Sequence, residues 1–167
     1  MDRVLFVCTG NIFRSLTAEY ALRRALGAAS DIRVASAGTE DFPHVVKEVV
    51  QDYLSQLGFD VSAHRRRTLT AGICDESTLI VAMSDDHQRV IFDRFGRRVP
   101  LFTEVCGLGA EPLHDVDDVV PDFETNLVAA LAHVRWTIDR IVELTPRFAT
   151  RLLERDSQLV AWSSGAR

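Results

Sequence analysis

Along this chain, short apolar runs alternate with stretches whose apolar residues recur at helical spacing. Arg3 to Val7 is an apolar run of strand length, and from Thr17 to Leu26 the residues Ala18, Ala21, Leu22 and Leu26 share one helical face. Ile32 to Ala35 predicts a second strand. Val45 to Leu57 predicts a second helix, with Val46, Val49, Val50, Tyr53, Leu54 and Leu57 turned inward and Gly58 placed as a C-terminal stop. The unit then recurs: Leu79 to Met83 predicts a third strand, Asp85 to Phe95 a third helix, Arg98 to Phe102 a fourth strand, and Asn126 to Leu144 a long closing helix. Strands alternating with helices predict an α/β domain, a four-stranded parallel sheet with helices on both faces. The polar end of the chain, from about residue 156 to 167, lacks such a face and is expected to be a loosely packed tail.

A length of 167 residues suits one domain with a substantial core, so 1–167 is read as a single unit. No apolar stretch nears the ~20 residues that span a bilayer, and the chain runs from Met1 straight into a strand pattern without a leader-like segment. A cytoplasmic protein that binds no membrane is expected. Cys8, Cys74 and Cys106 are odd in number and show no metal-ligand spacing, which implies neither a disulfide framework nor a zinc site; no metal or other cofactor is expected. A net charge of −5 argues against non-specific binding of nucleic acid, which needs a basic surface. Any anion must therefore be held locally.

The place for it is the first strand-to-helix loop, VLFVCTGNIFRS, residues 4–15. In open α/β sheets ligands bind beyond the carboxyl ends of the strands, and this loop is the usual phosphate cradle. Gly10 lets the backbone turn inward, successive N–H groups can face one concavity, and the next helix adds its positive N-terminal end. Five residues separate Cys8 from Arg14, enough for the chain to wrap once around an anion so that both side chains meet it. A helix N-terminus and a nearby guanidinium favour a nucleophilic thiolate, and the planar fork of Arg14 can hold two phosphoryl oxygens. A cysteine at a strand end is ordinarily only a small buried hydrophobe. Here it follows a strand, opens a helix and is accompanied by Gly10, Asn11 and Ser15.

Cys8 to Ser15, CTGNIFRS, resembles the phosphate loop of the low-molecular-weight protein-tyrosine phosphatases, C-x-G-N-I-C-R-S. The likeness extends to Ser36-Ala37-Gly38-Thr39, to the segment Gly58 to His64 followed by Arg67, and to Met83 to His87, in order and at nearly the family's intervals. The resemblance implies that Cys8 attacks the phosphorus of an aryl phosphate and that Arg14 and the amides of Thr9, Gly10, Asn11, Ile12 and Phe13 hold its oxygens. A cysteinyl-phosphate then forms and is hydrolysed. It also implies that Asn11 holds the loop's backbone, Ser15 hydrogen-bonds the Cys8 sulfur, and His64 partners Asn11. Read alone, His64 beside Arg65-Arg66-Arg67 is a solvated polar turn.

A tyrosine leaving group, pKa ~10, needs a carboxylic acid to protonate it. The family supplies one from an Asp-Pro segment, which this chain lacks: His114 to Phe123 reads HDVDDVVPDF. Aligning Val-Asp-Asp with the family's Ile-Pro-Asp favours Asp118, counting back from Phe123 favours Asp115, and Asp117 lies between; Asp118 is the expected acid. The other aspartates of this cluster are expected to be a solvated loop. Phe13 stands where the family has a second cysteine, so no disulfide can protect Cys8 within the loop. Leu16 replaces a proline. Phe42 falls near the family's aromatic wall and is expected to touch substrate, but the acid loop brings no tyrosine. Arsenate reductases of this fold carry two further cysteines close together, unlike Cys74 and Cys106, and protein-arginine phosphatases usually have threonine at the position of Ile12. The expected substrate is therefore a phosphotyrosine protein, by analogy a bacterial tyrosine kinase, acted on by a monomer or weak dimer. The reading of another class is a phosphate- or phosphopeptide-binding module that has lost its acid.

Overall fold

The computed structural model describes residues 2–41 and 46–163. The elements run β1 (Arg3–Cys8), α1 (Arg14–Leu26), β2 (Arg33–Gly38), α2 (Glu48–Gln56), α3 (Ala71–Asp75), β3 (Leu79–Ala82), α4 (Asp85–Phe95), α5 (Phe102–Val105), α6 (Val116–Val119), α7 (Leu127–Leu153) and α8 (Ser157–Ser163). The three strands form a parallel sheet in the order β2-β1-β3, with Cys8 paired to Gly38 and Val7 to Ala82. The phosphate-loop candidate thus leaves the central strand, flanked on both sides by strand ends.

Alternation along β1 explains the layering. Val4, Phe6 and Cys8 face Ala18 and Leu22 of α1, Phe102 and Val105 of α5, and Ile141, Leu144 and Phe148 of α7; Phe6 meets the rings of Phe102 and Phe148 at 6.1 and 6.0 Å. Leu5 and Val7 face the other way, toward Cys74 of α3 and Ile91 of α4. A third cluster, in which Leu16, Ala21, Val50, Leu54 and Ile138 pack with Phe13, supports the loop from the α2 side.

The sheet has three strands, not four. The run Arg98 to Phe102 is buried as expected, with Val99, Leu101 and Phe102 at 5% exposure or less, but it makes a single bridge, Ala82 to Leu101, through the Ala82 amide and the Pro100 carbonyl at 2.9 Å. Pro100 has no N–H for a ladder, and the Leu101 amide is taken by the Glu104 carboxylate at 2.8 Å as α5 begins. Within the expected tail, Ser157–Ser163 form a helix, α8, and 164–167 lie outside the described residues. Leu159 is 1% exposed in the main core, and Arg151 binds Asp156 and Gln158 at 2.9 Å each. Leu159 in the core, Trp162 packed against it and the bonds of Arg151 order this segment. The closing helix passes its expected end at Leu144 and contains Pro146; burial of Phe148, Ala149 and Leu152 offsets the ~3 kcal/mol that an interior proline costs.

Candidate active site

The loop after Cys8 is held by a buried chain of hydrogen bonds whose directions are set from Glu19 as far as Ser15. Glu19, 4% exposed, accepts from the Ser36 hydroxyl, so Ser36 Oγ accepts from Asn11 Nδ2 at 2.7 Å. The second hydrogen of Asn11 Nδ2 goes to Ser15 Oγ at 3.0 Å. Ser15 Oγ lies 2.9 Å from Cys8 Sγ with its own hydrogen and one lone pair still available, so it donates to the sulfur whenever Cys8 is a thiolate. Asn11 takes φ 56°, a left-handed conformation that asparagine tolerates better than most residues. Its Oδ1 accepts from the Arg67 amide and its carbonyl from His64 Nε2, both at 2.9 Å. Every polar group in the chain from Glu19 to Cys8 is satisfied, which makes the loop rigid.

Gly38 explains how β2 can lie against this loop. A Cβ there would come within 2.6 Å of the Thr9 carbonyl oxygen and 3.1 Å of the Asn11 amide nitrogen, so only glycine permits the approach. The Thr39 and Glu40 amides in turn donate to the Cys8 and Thr9 carbonyls.

Arg14 opens α1 and is 2% exposed. Nη1 donates to the Leu113 carbonyl at 3.0 Å, and Nη2 donates to Thr9 Oγ1 at 3.2 Å and to the Asp115 carboxylate. Arg14 Nε is a buried donor with no partner among the described residues. A guanidinium nitrogen in that position is available to an anion. Beside it, burial and the Arg14 charge push His87 down to about 3, so its imidazole is neutral.

The acid segment is organised locally. Asp115 caps α6, accepting from the Val116 amide at 2.9 Å, while its other oxygen faces Arg14. Asp118 accepts from the Asp115 amide at 3.0 Å and lies 3.8 Å from His114, on the outer side of the turn. Asp115 therefore meets Arg14 and Asp117 lines the same cleft, whereas Asp118, the acid expected first, does not line it. The reason is the capping box of α6, which uses Asp118 to close the turn and Asp115 to begin it. Cys8, Thr9, Gly10, Ile12, Phe13, Arg14, Asp115 and Asp117 line one cleft of about 390 Å³; Val50, Val116, Phe123 and Val134 form its apolar rim, and Glu40 and Lys47 add charge. Asn11, Ser15 and His64 support the loop from below rather than line the cleft. Phe42 lies outside the described residues. Glu19, Ser36, Gly38 and His87 were given no role by sequence; the segments Ser36 to Thr39 and Met83 to His87 held three of them, whereas nothing local distinguishes Glu19 from a helix-surface carboxylate. Among the described residues no group of His, Cys, Asp and Glu could hold a metal ion, and no helix is long and apolar enough to cross a membrane.

An anion-ready loop at the end of the central strand, with a cysteine beneath and an aspartate opposite, defines the class as phosphoric monoester hydrolases of an α/β fold. The chain belongs to the low-molecular-weight phosphotyrosine protein phosphatase family, whose model matches residues 3–154. It is 32% identical over 136 residues to a protein of Ralstonia solanacearum named a probable low-molecular-weight protein-tyrosine-phosphatase, EpsP, covering 81% of this chain and 90% of that one. Among solved structures, the low-molecular-weight protein tyrosine phosphatase of T. tengcongensis superposes with a TM-score of 0.71 at 25% identity, covering 93% of this chain and 99% of its own. The YwlE arginine phosphatase of Geobacillus stearothermophilus reaches 0.76 at 23% identity, over 95% of this chain and 97% of its own, a likeness of fold alone.

Proposed function

We propose that the protein is a protein-tyrosine phosphatase that works through a cysteinyl-phosphate. The single observation carrying this is that Cys8, hydrogen-bonded through its sulfur to Ser15 Oγ, shares one cleft with the buried Arg14 and with the Asp115 carboxylate. The Cys8 thiolate attacks phosphorus; the S–P bond forms as the P–O bond to the aryl group breaks. Arg14 and the loop amides take the charge of the equatorial oxygens. The leaving phenolate receives a proton from Asp115, whose carboxylate then takes a proton from a water that attacks the cysteinyl-phosphate, releasing inorganic phosphate and the thiolate. A phosphoryl dianion on Arg14 competes with Asp115 for the guanidinium, which frees the aspartate to serve the leaving oxygen. Ile12 and the aliphatic rim of Val50, Val116 and Val134 suit the flat apolar ring of phosphotyrosine better than a guanidinium.

The test is hydrolysis of a phosphotyrosine peptide at mildly acidic pH without added metal, with a phosphoarginine peptide as comparator, in wild type and Cys8→Ser. Turnover of phosphotyrosine that vanishes in the variant supports the reading. Binding of the peptide without turnover by the wild type overturns it in favour of a phosphopeptide-binding module, and preference for phosphoarginine overturns the substrate.

A further inference from the structure

His87 belongs to a motif that the mechanism above does not use, and its surroundings are specific. It is 3% exposed, in the first turn of α4. The Ser84 amide donates to Nδ1 at 3.1 Å, and Ser84 Oγ lies 2.8 Å from the same nitrogen, so Nδ1 is the acceptor and the hydrogen sits on Nε2. Nε2 lies 3.0 Å from Thr9 Oγ1 and donates to it. Arg14 Nη2, which carries no lone pair, donates to that same oxygen at 3.2 Å. A hydroxyl oxygen has two lone pairs and one hydrogen. Both lone pairs of Thr9 Oγ1 are filled, and among the described residues no acceptor takes its hydrogen. Thr9 lines the cleft together with Cys8 and Arg14.

We propose that His87 is a positioning residue of this site: its Nε2–H, with Arg14, occupies both lone pairs of Thr9 Oγ1 and so commits the Thr9 hydroxyl to donate its hydrogen to a phosphoryl oxygen in the cleft. Thr9 is then a catalytic residue through its side chain and not only through its amide. The proposal rests on the phosphatase reading for its ligand but not for its geometry. Burial and the neighbouring Arg14 keep the imidazole neutral, which the arrangement requires, because an imidazolium would confront the Ser84 amide with a second donor. A hydroxyl committed in advance has no reorganisation to undergo when charge develops on the phosphoryl oxygens.

The test is a double-mutant cycle on Thr9→Val, His87→Leu and the double variant, read as kcat and KM on p-nitrophenyl phosphate and as affinity for inorganic phosphate by calorimetry. A hydrogen bond to a charged group corresponds to about tenfold to a hundredfold. Each single variant is expected to lose that much in kcat and to bind phosphate more weakly, and the double variant to be within about threefold of the poorer single one, since both remove the same donor. His87→Gln, which can present an N–H near the position of Nε2, is expected to recover most of kcat. Losses that multiply in the double variant, or Thr9→Val with wild-type kcat and phosphate affinity, overturn the proposal. If His87→Leu does not fold, Thr9→Val and His87→Gln decide by the same criteria. If the wild type turns over no phosphate ester but binds phosphate, parallel losses of affinity in both variants uphold the proposal while the phosphatase reading falls.

Discussion

The phosphate loop and the acid loop carry the two halves of the proposed chemistry, yet they are built in opposite ways. Residues 8–15 are held from three other parts of the chain: the Ser36 hydroxyl, the His64 imidazole with the nearby Arg67 amide, and the His87 imidazole all bond to them, and Glu19 anchors the network from α1. Asn11 and Ser15 are fully buried. Residues 114–123 are held mostly by themselves, through the caps of α6, and among the described residues their one side-chain ion pair with the other half of the site is Arg14 to Asp115. Asp115 is 30% exposed and Asp118 46%. Attack by sulfur needs a nucleophile and an oxyanion cradle already in place, whereas a proton donor must follow a leaving group whose position varies with the substrate. The rigid half and the adaptable half suit those two demands.

That contrast can be broken or sharpened by substitution. The largest effect is expected between two neighbouring aspartates: Asp115→Asn should lower kcat on a phosphotyrosine peptide by about 10² to 10⁴, and Asp118→Asn, which only loosens a turn, by less than about tenfold. Equal losses would mean that the acid loop rearranges on binding substrate and that the resting geometry misleads. Next is Asn11→Ala, which leaves Ser15, Ser36 and the Arg67 amide short of partners in a buried site and puts alanine at positive φ; a stability loss of about 2–4 kcal/mol is expected in urea unfolding, together with loss of most activity. Gly38→Ala should push its Cβ onto the Thr9 carbonyl and lower kcat by about tenfold or more with a smaller change in Tm, because the loop moves while the core stays.

The smallest effect is in pH dependence. An unfolded histidine titrates near 6.5, and folded His87 near 3. Above pH ~6.5 both states are neutral and the group contributes no slope. As pH falls from there toward 3, the unfolded chain takes up a proton that the folded protein refuses, so stability falls with acidification. Urea unfolding at pH ~7 and ~4.5 should show a smaller decline in His87→Gln than in wild type, and an unchanged decline would show that His87 is protonated in the folded protein.

Much of this molecule was legible one residue at a time. The apolar run before Cys8, the helical spacing from Ala18 to Leu26 and the boundaries of α4 from Asp85 to Phe95 are local facts, and the structure reproduces them because burial on both faces of a sheet imposes such periodicity. The fourth strand misled because Val99, Leu101 and Phe102 carry the burial of a strand while Pro100 and the start of α5 remove its hydrogen bonds.

By itself the sequence determined the strand, the loop and the helix that place Cys8 and Arg14 on one turn of chain, because five intervening residues allow little else. Only the tertiary structure decided what meets that turn. Asp115 is 101 residues from Arg14 and His87 is 78 from Thr9, and periodicity reports which face of an element is buried but not which distant element lies across from it. That Asp115 and not Asp118 meets Arg14, and that the His87 imidazole meets the Thr9 hydroxyl, depend on that opposition of elements, which the packing of α1, α4 and α6 around the end of β1 alone supplies.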